Sequence, residues 1–287
     1  MKILTFDIED WFHILDNEET NSIESWDQFP SRVERNVYKI LEVLDDNDQR
    51  ASFFILGWIA QKFPHLIKEI AERGHHIGCH SYAHQLVYGQ SQLEFKDDLY
   101  RSKSILESVI GRKIDSYRAP GFSINSESLW AYDILYELGF RTDSSIFPAN
   151  RAHGGINNFP YSEPVLGAIG GKIIKLFPLN IRRSLGHNFI YSGGGYFRIF
   201  PSLLLQYWFN SDDYVMTYFH PRDFDPDQPV VPGLNYRRYF KSYVGLKGSL
   251  AKLEGLLQNN QFVTLEEASN MVNWSNAKII NLLELDN

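Results

Sequence analysis

Hydrophobic and polar positions alternate along the chain in two kinds of stretch. Short runs of β-branched and aromatic residues, such as "ASFFIL" and "YVMTYF", are separated by longer segments with apolar residues every three to four positions. Val33, Val37 and Ile40 show the second kind, since they fall on one face of a helix. Strands that alternate with crossover helices are typical of a parallel sheet, because parallel strands cannot be joined by tight turns.

These runs predict the following elements. The predicted strands are Lys2–Phe6, Ala51–Leu56, His76–Cys79, Ser116–Arg118, Arg141–Asp143, Lys172–Phe177, Tyr214–Phe219 and Gln261–Thr264. The predicted helices are Ser31–Leu44, Trp58–Arg73, Gln92–Ile110, Ser126–Leu138, Pro201–Phe209 and Arg237–Leu257. Gly111 stands where a left-handed helix cap is expected. The pattern predicts an α/β fold, a closed or nearly closed barrel of about seven parallel strands.

The remaining segments predict long loops and a short tail. The region Asn150–Gly195 is rich in Gly, Asn and Pro and predicts long rim loops that include a β-hairpin. No linker-like stretch interrupts the chain, so we expect one domain over residues 1–274. Apolar residues such as Ile279 and Leu282 predict a short amphipathic helix in the tail, residues 275–287.

Composition and charge exclude some classes of protein. The 287 residues include 28 Lys and Arg against 35 Asp and Glu, a net charge of −7 without a basic run longer than a pair. Binding to a nucleic-acid backbone needs clustered cations and is not expected. The single cysteine, Cys79, excludes an internal disulfide. The N-terminus lacks a signal-peptide core and no apolar stretch reaches eighteen residues, so we expect a cytoplasmic protein without a transmembrane segment.

Carboxylates cluster directly after the first strand, in "LTFDIEDWFH". Asp7, Glu9 and Asp10 repel one another near the core edge, which destabilises the fold unless a positive charge lies there. A solvated turn is one interpretation and a metal ion is the other. His80 and His84, in "HHIGCHSYAHQ", are four residues apart, so a helical turn would bring both imidazoles to one ion.

Other polar residues also follow strands. Arg118 could hold Asp7 in place through paired hydrogen bonds, or form a purely structural ion pair. His220 is a candidate general acid or base. Asp143 is either a site residue or an ordinary turn residue. Because strand ends of a parallel barrel meet at one rim, these groups are expected to lie close together.

Six motifs carry a resemblance to a known family. They are "FDIEDWF", "FFILGW", "YRAPGFS", "DSSIFP", "GGGYFR" and "HPRDFDPDQP". In this combination, from about Lys2 to about Ala268, the sequence resembles the polysaccharide deacetylases, also called the NodB-homology or carbohydrate esterase family 4 enzymes. It is similar in particular to the branch associated with bacterial exopolysaccharide loci. The fold that this implies is a distorted (β/α) barrel.

The resemblance also implies a role for several residues. Asp7 would be the general base, Arg118 would orient it, and His220 would be the general acid. His80 and His84 would bind the metal together with one carboxylate of the opening motif. The family commonly has two adjacent aspartates there, whereas this chain has Asp7-Ile8-Glu9-Asp10. Strand alternation puts Asp7 and Glu9 on one face, which favours Glu9 as the metal ligand. If the strand has already ended, Asp10 can turn back towards the ion, and Asp10 is slightly preferred as the ligand.

One backbone donor and four side chains are candidates for contact with the substrate. A backbone N–H near Phe122 would stabilise the oxyanion. Phe122, Trp11 and Tyr196 could stack on sugar rings or belong to the core, and Asp143 is the fourth candidate for a substrate contact. Ser81 stands where this branch often has Gly.

These features together predict a metal-dependent hydrolase. It would remove N-acetyl groups from a sugar of a bacterial surface polysaccharide or of its lipid-linked precursor. One divalent ion is expected, Zn²⁺ first, although Co²⁺, Ni²⁺ and Fe²⁺ suit the same ligands. A related amidase acting on a formyl group or a cyclic ureide, and a catalytically silent glycan-binding barrel, are the alternatives. The sugar, the ion and the oligomeric state stay open.

Overall fold

A computed structural model of the chain describes residues 1–15, 17–149, 153–184 and 187–285. Its strands are β1 (Lys2–Ile3), β2 (Thr5–Ile8), β3 (Ser52–Ile55), β4 (His76–Cys79), β5 (Ser116–Tyr117), β6 (Thr142–Asp143), β7 (Val165–Ile169), β8 (Lys172–Leu176), β9 (Arg182–Ser184), β10 (His187–Phe189), β11 (Val215–Met216) and β12 (Ile279–Asn281). Its α-helices are α1 (Ile23–Trp26), α2 (Val33–Asp46), α3 (Gly57–Lys62), α4 (Pro64–Glu72), α5 (Gln92–Ile110), α6 (Ala131–Glu137), α7 (Gly194–Ile199), α8 (Ser202–Ser211), α9 (Tyr236–Tyr243), α10 (Ser249–Asn259) and α11 (Leu265–Met271). Short 3₁₀ turns lie at Val87–Gly89, Pro120–Phe122, Ser126–Ser128, Pro221–Phe224, Leu246–Gly248 and Leu282–Glu284.

The parallel strands form most of a barrel. β2, β3, β4, β5, β6 and β8 are neighbours in this order and run parallel. β1 continues into β2 and pairs in parallel with β11 on its other side. The backbone N–H of Asp7 donates to the Phe219 carbonyl at 2.7 Å and extends this pairing. Within the described chain this makes seven parallel strands when β1 and β2 are taken as one, which confirms the predicted α/β barrel.

Asn180 bridges part of the gap between β8 and β11. Its Oδ1 accepts a hydrogen bond from the Met216 backbone N–H at 3.2 Å, and Gly193 pairs with Tyr218 beyond the end of β11. β7 runs antiparallel to β8 through a turn at Gly170 and Gly171, whose positive φ angles of 53° and 78° suit such a hairpin. The barrel is therefore nearly closed, and the hairpin expected in the loop region is present.

Strand alternation separates two apolar clusters. Phe6 and Ile8 of β2 join the larger cluster under the helices, together with Val37 of α2. Phe54 and Met216 belong to a smaller cluster on the other face of the sheet. Thr5 and Asp7 point to this second face, where Arg118 contacts both. The period of two residues thus directs Asp7 into the barrel end while its neighbours fill the core.

Two predicted helices are interrupted in the structure. Pro64 begins α4 and ends the predicted helix Trp58–Arg73 after α3, since proline has no N–H for the preceding turn. The predicted helix Arg237–Leu257 breaks at Gly245, where φ is +74° and a Cβ would lie 2.6 Å from the Arg198 carbonyl oxygen. By contrast, α5 and its left-handed cap at Gly111 have the predicted bounds.

The tail and one strand also differ from expectation. The tail forms the strand β12, parallel to the exposed edge of β7, so the predicted amphipathic helix is wrong. β-branched Ile279 and Ile280 favour this edge pairing. The predicted strand Gln261–Thr264 is reduced to one bridge between Ile3 and Val263. Residues 150–152 and 185–186 of the predicted loop region and 286–287 of the tail lie outside the described residues.

Candidate metal centre and active site

The ends of the parallel strands bring the predicted polar groups to one rim. Asp7 lies in β2 and Glu9 follows it, while His80 comes directly after β4. Arg118 follows β5, and His220 lies beyond the β11 pairing. Residues far apart in sequence therefore meet because parallel strands all end on the same side.

Glu9, His80 and His84 form a buried group of metal-ligand type. Glu9 Oε1 lies 3.1 Å from His80 Nε2 and 2.9 Å from His84 Nε2. His80 Nδ1 lies 2.7 Å from the Arg118 carbonyl oxygen, which can only accept, so Nδ1 carries a proton. In the neutral imidazole, Nε2 and the carboxylate would then be two acceptors facing each other. A cation between them resolves this repulsion, and the donor set fits a divalent metal.

The charge state of Glu9 supports the same interpretation. Burial by itself raises the pKa of this carboxyl, but the neighbouring His84, His220 and His80 outweigh burial and hold it well below its usual range. Glu9 is therefore ionised in a place where an isolated carboxylate would be unstable.

The loop after β4 is strained where it positions His84. Among the described residues, Asp48, Ser81, His84 and Phe122 are the non-glycine residues with positive φ. Ser81 has a φ of 66° and His84 a φ of 52°, so the predicted helical turn is not formed. The loop instead folds back to bring both Nε2 atoms to Glu9. Such backbone conformations are costly and are concentrated at functional sites.

Asp10 has a different role from the one that we preferred. Its carboxylate accepts hydrogen bonds from the backbone N–H of Trp11 at 2.9 Å, of Arg32 at 3.0 Å and of Val33 at 3.3 Å, and from the Ser31 hydroxyl. These donors surround the N-terminus of α2, whose first N–H groups have no partner within the helix. Asp10 caps this helix, and Glu9 is the carboxylate beside the histidines.

Asp7 and Arg118 form the predicted ion pair. Arg118 Nη1 lies 2.7 Å from Asp7 Oδ1 and 2.7 Å from Thr5 Oγ1, and its Nε donates to Ser144 Oγ at 3.1 Å. The Arg118 side chain is fully buried, and its guanidinium lies 4.3 Å from the centre of the Phe54 ring. The pair therefore holds the Asp7 carboxylate in one orientation, with Oδ2 directed towards His220.

Asp223 and Arg198, which we did not predict as site residues, hold His220 through its Nδ1 atom. Its Nδ1 lies 3.1 Å from Asp223 Oδ2, and its Nε2 lies 3.7 Å from Glu9 Oε1 and 3.9 Å from Asp7 Oδ2. Arg198 Nε lies 3.4 Å from Asp223 Oδ1. The signals were in the quoted motifs, since "HPRD" places an acid three residues after His220 and "GGGYFR" ends in Arg198.

This arrangement raises the basicity of His220. Burial lowers the pKa of the imidazole, but the carboxylates of Glu9, Asp223 and Asp7 outweigh burial and raise the pKa to about 9. Burial raises the pKa of Asp223, whereas Arg198 and His220 outweigh it and lower the value to about 2. In the metal-free chain His220 is thus an imidazolium at neutral pH, and Asp223 is its counter-ion.

Three of the four predicted substrate contacts are wrong, because their side chains are buried. Trp11 is buried, donates from Nε1 to the Pro30 carbonyl at 2.9 Å and packs edge-on against Phe12. Asp143 is fully buried and accepts hydrogen bonds from the Ser145 backbone N–H at 2.9 Å and the Ser145 hydroxyl at 2.5 Å. Burial raises the pKa of Asp143 to about 6. Neither side chain can touch a sugar, and Asp143 acts as the turn residue of the alternative interpretation.

The other two aromatic candidates differ in exposure. Phe122 is buried and packs edge-on against Tyr218, with ring centres 5.3 Å apart. Tyr196 on α7 is 49% exposed and stacks on Phe200. Of the four predicted contacts, Tyr196 is therefore the one whose ring is open to a ligand.

The turn after Arg118 presents a backbone donor. The Ala119 N–H donates to Ser145 Oγ at 2.8 Å, the Phe122 N–H donates to the Ala119 carbonyl at 3.0 Å, and Pro120 has none. Among the described residues, the Gly121 N–H has no acceptor in this turn. The donor expected near Phe122 is thus that of Gly121, whose φ of +62° suits glycine.

Comparison with known proteins agrees with this geometry. The model of the polysaccharide deacetylase family matches residues 16–141, and a model described as a domain of unknown function, DUF3473, matches residues 144–270. Residues 16–141 are therefore similar to the polysaccharide deacetylase domain, which is also called the NodB-homology or carbohydrate esterase family 4 domain. Asp7 and Glu9 precede the first match, while His220, Asp223 and Arg198 lie in the second, so the site extends across both segments.

Individual proteins show the same relationship. A peptidoglycan-N-acetylglucosamine deacetylase of Bacillus cereus is 34% identical over 94 residues, which are 32% of this chain and 34% of that protein. The chain spans between about a third and a half of the length of the first curated relatives that it matches. A solved structure from Mycobacterium smegmatis, described as a polysaccharide deacetylase, has a TM-score of 0.67 at 18% identity and covers 97% of this chain and 91% of its own. Peptidoglycan deacetylase PdaC of Bacillus subtilis has a TM-score of 0.50 at 15% identity, with 94% and 90% covered.

Proposed function

We propose that this protein is a divalent-metal-dependent N-deacetylase of an N-acetylated sugar. The observation that carries the proposal is the placement of two oriented proton-transfer groups beside one metal-ligand cluster. Asp7 is held by Arg118 and His220 by Asp223. His220 Nε2 lies 3.7 Å from Glu9 Oε1 and 3.9 Å from Asp7 Oδ2. The B. cereus relative is named for removing acetyl groups from N-acetylglucosamine, which supports the same reaction class.

The metal would be held by Glu9, His80 and His84. A divalent ion there would supply Lewis-acid activation of the attacking water and polarisation of the acetyl carbonyl. Two imidazoles and one carboxylate leave positions open for water and substrate. We propose Zn²⁺ first, and Co²⁺, Ni²⁺ and Fe²⁺ suit the same donors.

Asp7 is the proposed general base. Its Oδ1 is bonded to Arg118, so Oδ2 takes the proton as the water oxygen attacks the acetyl carbon. The fixed guanidinium keeps the Asp7 carboxyl group aimed at one position. The Gly121 N–H is the proposed donor to the developing oxyanion, where one preorganised donor is worth roughly 3–4 kcal/mol of the barrier.

His220 is the proposed general acid. As an imidazolium it gives its Nε2 proton to the sugar nitrogen while the C–N bond breaks, which releases acetate and the free amine. Asp223 accepts from Nδ1 and keeps Nε2 directed at the reacting atoms. Arg198 keeps Asp223 ionised and in place, so both act as positioning residues.

The substrate that we propose is more specific than the substrate class that the comparisons indicate. Resemblance to the exopolysaccharide-locus branch supports a sugar of a surface polysaccharide or of its lipid-linked precursor as the substrate. We also propose a cytoplasmic location, which cell fractionation would check. No helix among the described residues is long and apolar enough to cross a membrane.

The first experiment measures metal content and acetate release together. We expect about one ion per chain in the wild type and its loss in His84→Ala. Asp7→Asn should keep the ion and lose acetate release from N-acetylglucosamine oligosaccharides. A wild type that binds no added Zn²⁺ or Co²⁺ would contradict the proposal. Formate in place of acetate would indicate the deformylase alternative, and ligand binding without turnover would indicate a glycan-binding barrel.

A further inference from the structure

Helix α9 is amphipathic, but its apolar face is not buried against the core of the protein. Tyr236, Tyr239, Phe240 and Tyr243 follow the spacing of one helical face. An aromatic face of this kind is normally buried against the core, yet α9 has no buried residue. Tyr236 is 81% exposed, and Tyr239 and Phe240 are 43% and 49% exposed.

Aliphatic side chains continue this surface on neighbouring elements. Ile199 on α7 and Val230 are both exposed. Val230 lies beside α9 because the Tyr243 hydroxyl accepts from the Val231 backbone N–H at 2.8 Å. Ile199 follows Arg198, which bonds the Lys241 carbonyl in α9 at 2.7 Å. We call the exposed residues Ile199, Val230, Tyr236, Tyr239 and Phe240 the apolar rim.

The charge of α9 is opposite to that of the whole chain. The helix carries Arg237, Arg238 and Lys241 and no acidic residue, although the protein has a net charge of −7. Cations beside exposed aromatic and aliphatic groups are typical of helices that lie in the interface of an anionic bilayer. Sugar rings stack on aromatic faces, but they do not account for exposed aliphatic side chains.

The apolar rim lies next to the active site. Arg238 donates to the Leu15 carbonyl, and Leu15 contacts the Gly121 turn, where a Cβ on Gly121 would lie 2.7 Å from Leu15 Cδ1. Arg198 joins the carbonyl oxygens of Lys241 and Ser242 to Asp223 behind His220. A surface that met the apolar rim would therefore lie beside the catalytic groups.

We propose that α9 and the apolar rim dock on an anionic phospholipid surface. Arg237 and Lys241 bind lipid headgroups while the aromatic and aliphatic side chains enter the interface, and the active site is held beside the membrane. The docking itself does not depend on the proposed function. Only its biological purpose rests on that function, since a lipid-linked sugar would be presented at such a surface.

The test is co-sedimentation of the full chain with vesicles. One set contains equal parts of phosphatidylglycerol and phosphatidylcholine, and the other contains phosphatidylcholine alone. We expect binding to the anionic vesicles, reduced about thirtyfold or more in Arg237→Glu/Lys241→Glu, because each lost cation weakens partitioning about fivefold. Tyr236→Ala/Phe240→Ala should also weaken binding.

Matched changes elsewhere serve as controls. Lys113→Glu reverses an exposed charge, and Leu93→Ala/Tyr100→Ala removes exposed apolar groups of α5. These variants should bind the anionic vesicles within about twofold of the wild type. Thermal unfolding of every variant checks that α9 and its surroundings remain folded.

Three outcomes would overturn the proposal. The first is no binding to anionic vesicles, or binding that the α9 variants leave unchanged. The second is loss of binding to soluble N-acetylglucosamine oligosaccharides in the α9 variants without any vesicle binding, which would make α9 a glycan subsite. The third is a dimer that dissociates in the same variants without vesicle binding. Vesicle binding by a protein that releases no acetate would refute the proposed function and leave the docking intact.

Discussion

Asp7 Oδ1 lies 2.7 Å from Arg118 Nη1, and neither side chain is exposed by more than 3%. Asp7 lies in β2, whereas Arg118 directly follows β5, 111 positions later. In a buried pair each charge depends on the other, since either one alone would be left uncompensated.

This pair should affect stability and activity in different ways. We expect Arg118→Met to lower the free energy of unfolding by about 3–5 kcal/mol, because it leaves the Asp7 carboxylate buried without a partner. Asp7→Asn/Arg118→Met should cost less than the sum of the single changes, as measured by urea denaturation in a double-mutant cycle. Additive costs would mean that the contact contributes nothing. Asp7→Asn alone should reduce kcat by about 10²–10⁴.

Glu9 and Asp10 allow a direct comparison of adjacent carboxylates. We expect Glu9→Gln to lose the ion and activity, because the neutral amide is a poor metal ligand between the two histidines. Asp10→Asn should keep the ion and lower the free energy of unfolding by at most about 1 kcal/mol, since it changes only the cap of α2. Metal analysis of both purified variants decides the matter, and ion loss in Asp10→Asn alone would reverse our assignment.

His220 should make the stability of the metal-free protein depend on pH. The pKa of its imidazole is raised to about 9 in the native state from an ordinary value of 6.5. Below pH 6.5 both states bind the proton, so the stabilisation is fully present, and it is lost as pH rises through about 9. The difference corresponds to roughly 3 kcal/mol.

Urea denaturation in the presence of a chelator, at pH 6 and at pH 9.5, tests this dependence. His220→Gln should remove most of it, and Asp223→Asn should reduce it, because Asp223 is one source of the raised pKa. Equal pH dependence in the wild type and in His220→Gln would show that other groups cause it.

Ser81 should tolerate glycine but not valine. Its φ of 66° is natural for glycine, so Ser81→Gly relieves strain while it loses the 3.0 Å hydrogen bond to the Tyr117 hydroxyl. We expect a net change within about 1 kcal/mol and retained activity. Ser81→Val should lower the melting temperature clearly, since a β-branched residue is a poor fit at positive φ. Equal melting temperatures for the two variants would contradict a strained loop.

Local pattern determined the elements that depend only on neighbouring residues. The periodicity of α5, its cap at Gly111 and the bounds of β4 follow from the sequence because helix and strand periods are local properties. The order of strand and helix segments was sufficient for a parallel barrel, and the strand ends were sufficient to place Asp7, His80, Arg118 and His220 at one rim. The predicted helices wrongly ran through Pro64 and Gly245, although both residues are poor helix formers.

Tertiary structure decided what depends on competition between distant partners. Asp10 lies one residue from Glu9, but free N–H groups of α2 attract its carboxylate, and this helix follows more than twenty residues later. Asp143 and Trp11 belong to residue types that often contact ligands, but the elements packed over them bury both side chains. The tail became β12 because β7 offered an open edge. In each case the role of the residue depends on which partner the fold brings within hydrogen-bond distance. The spacing of residues along the sequence does not predict that distance.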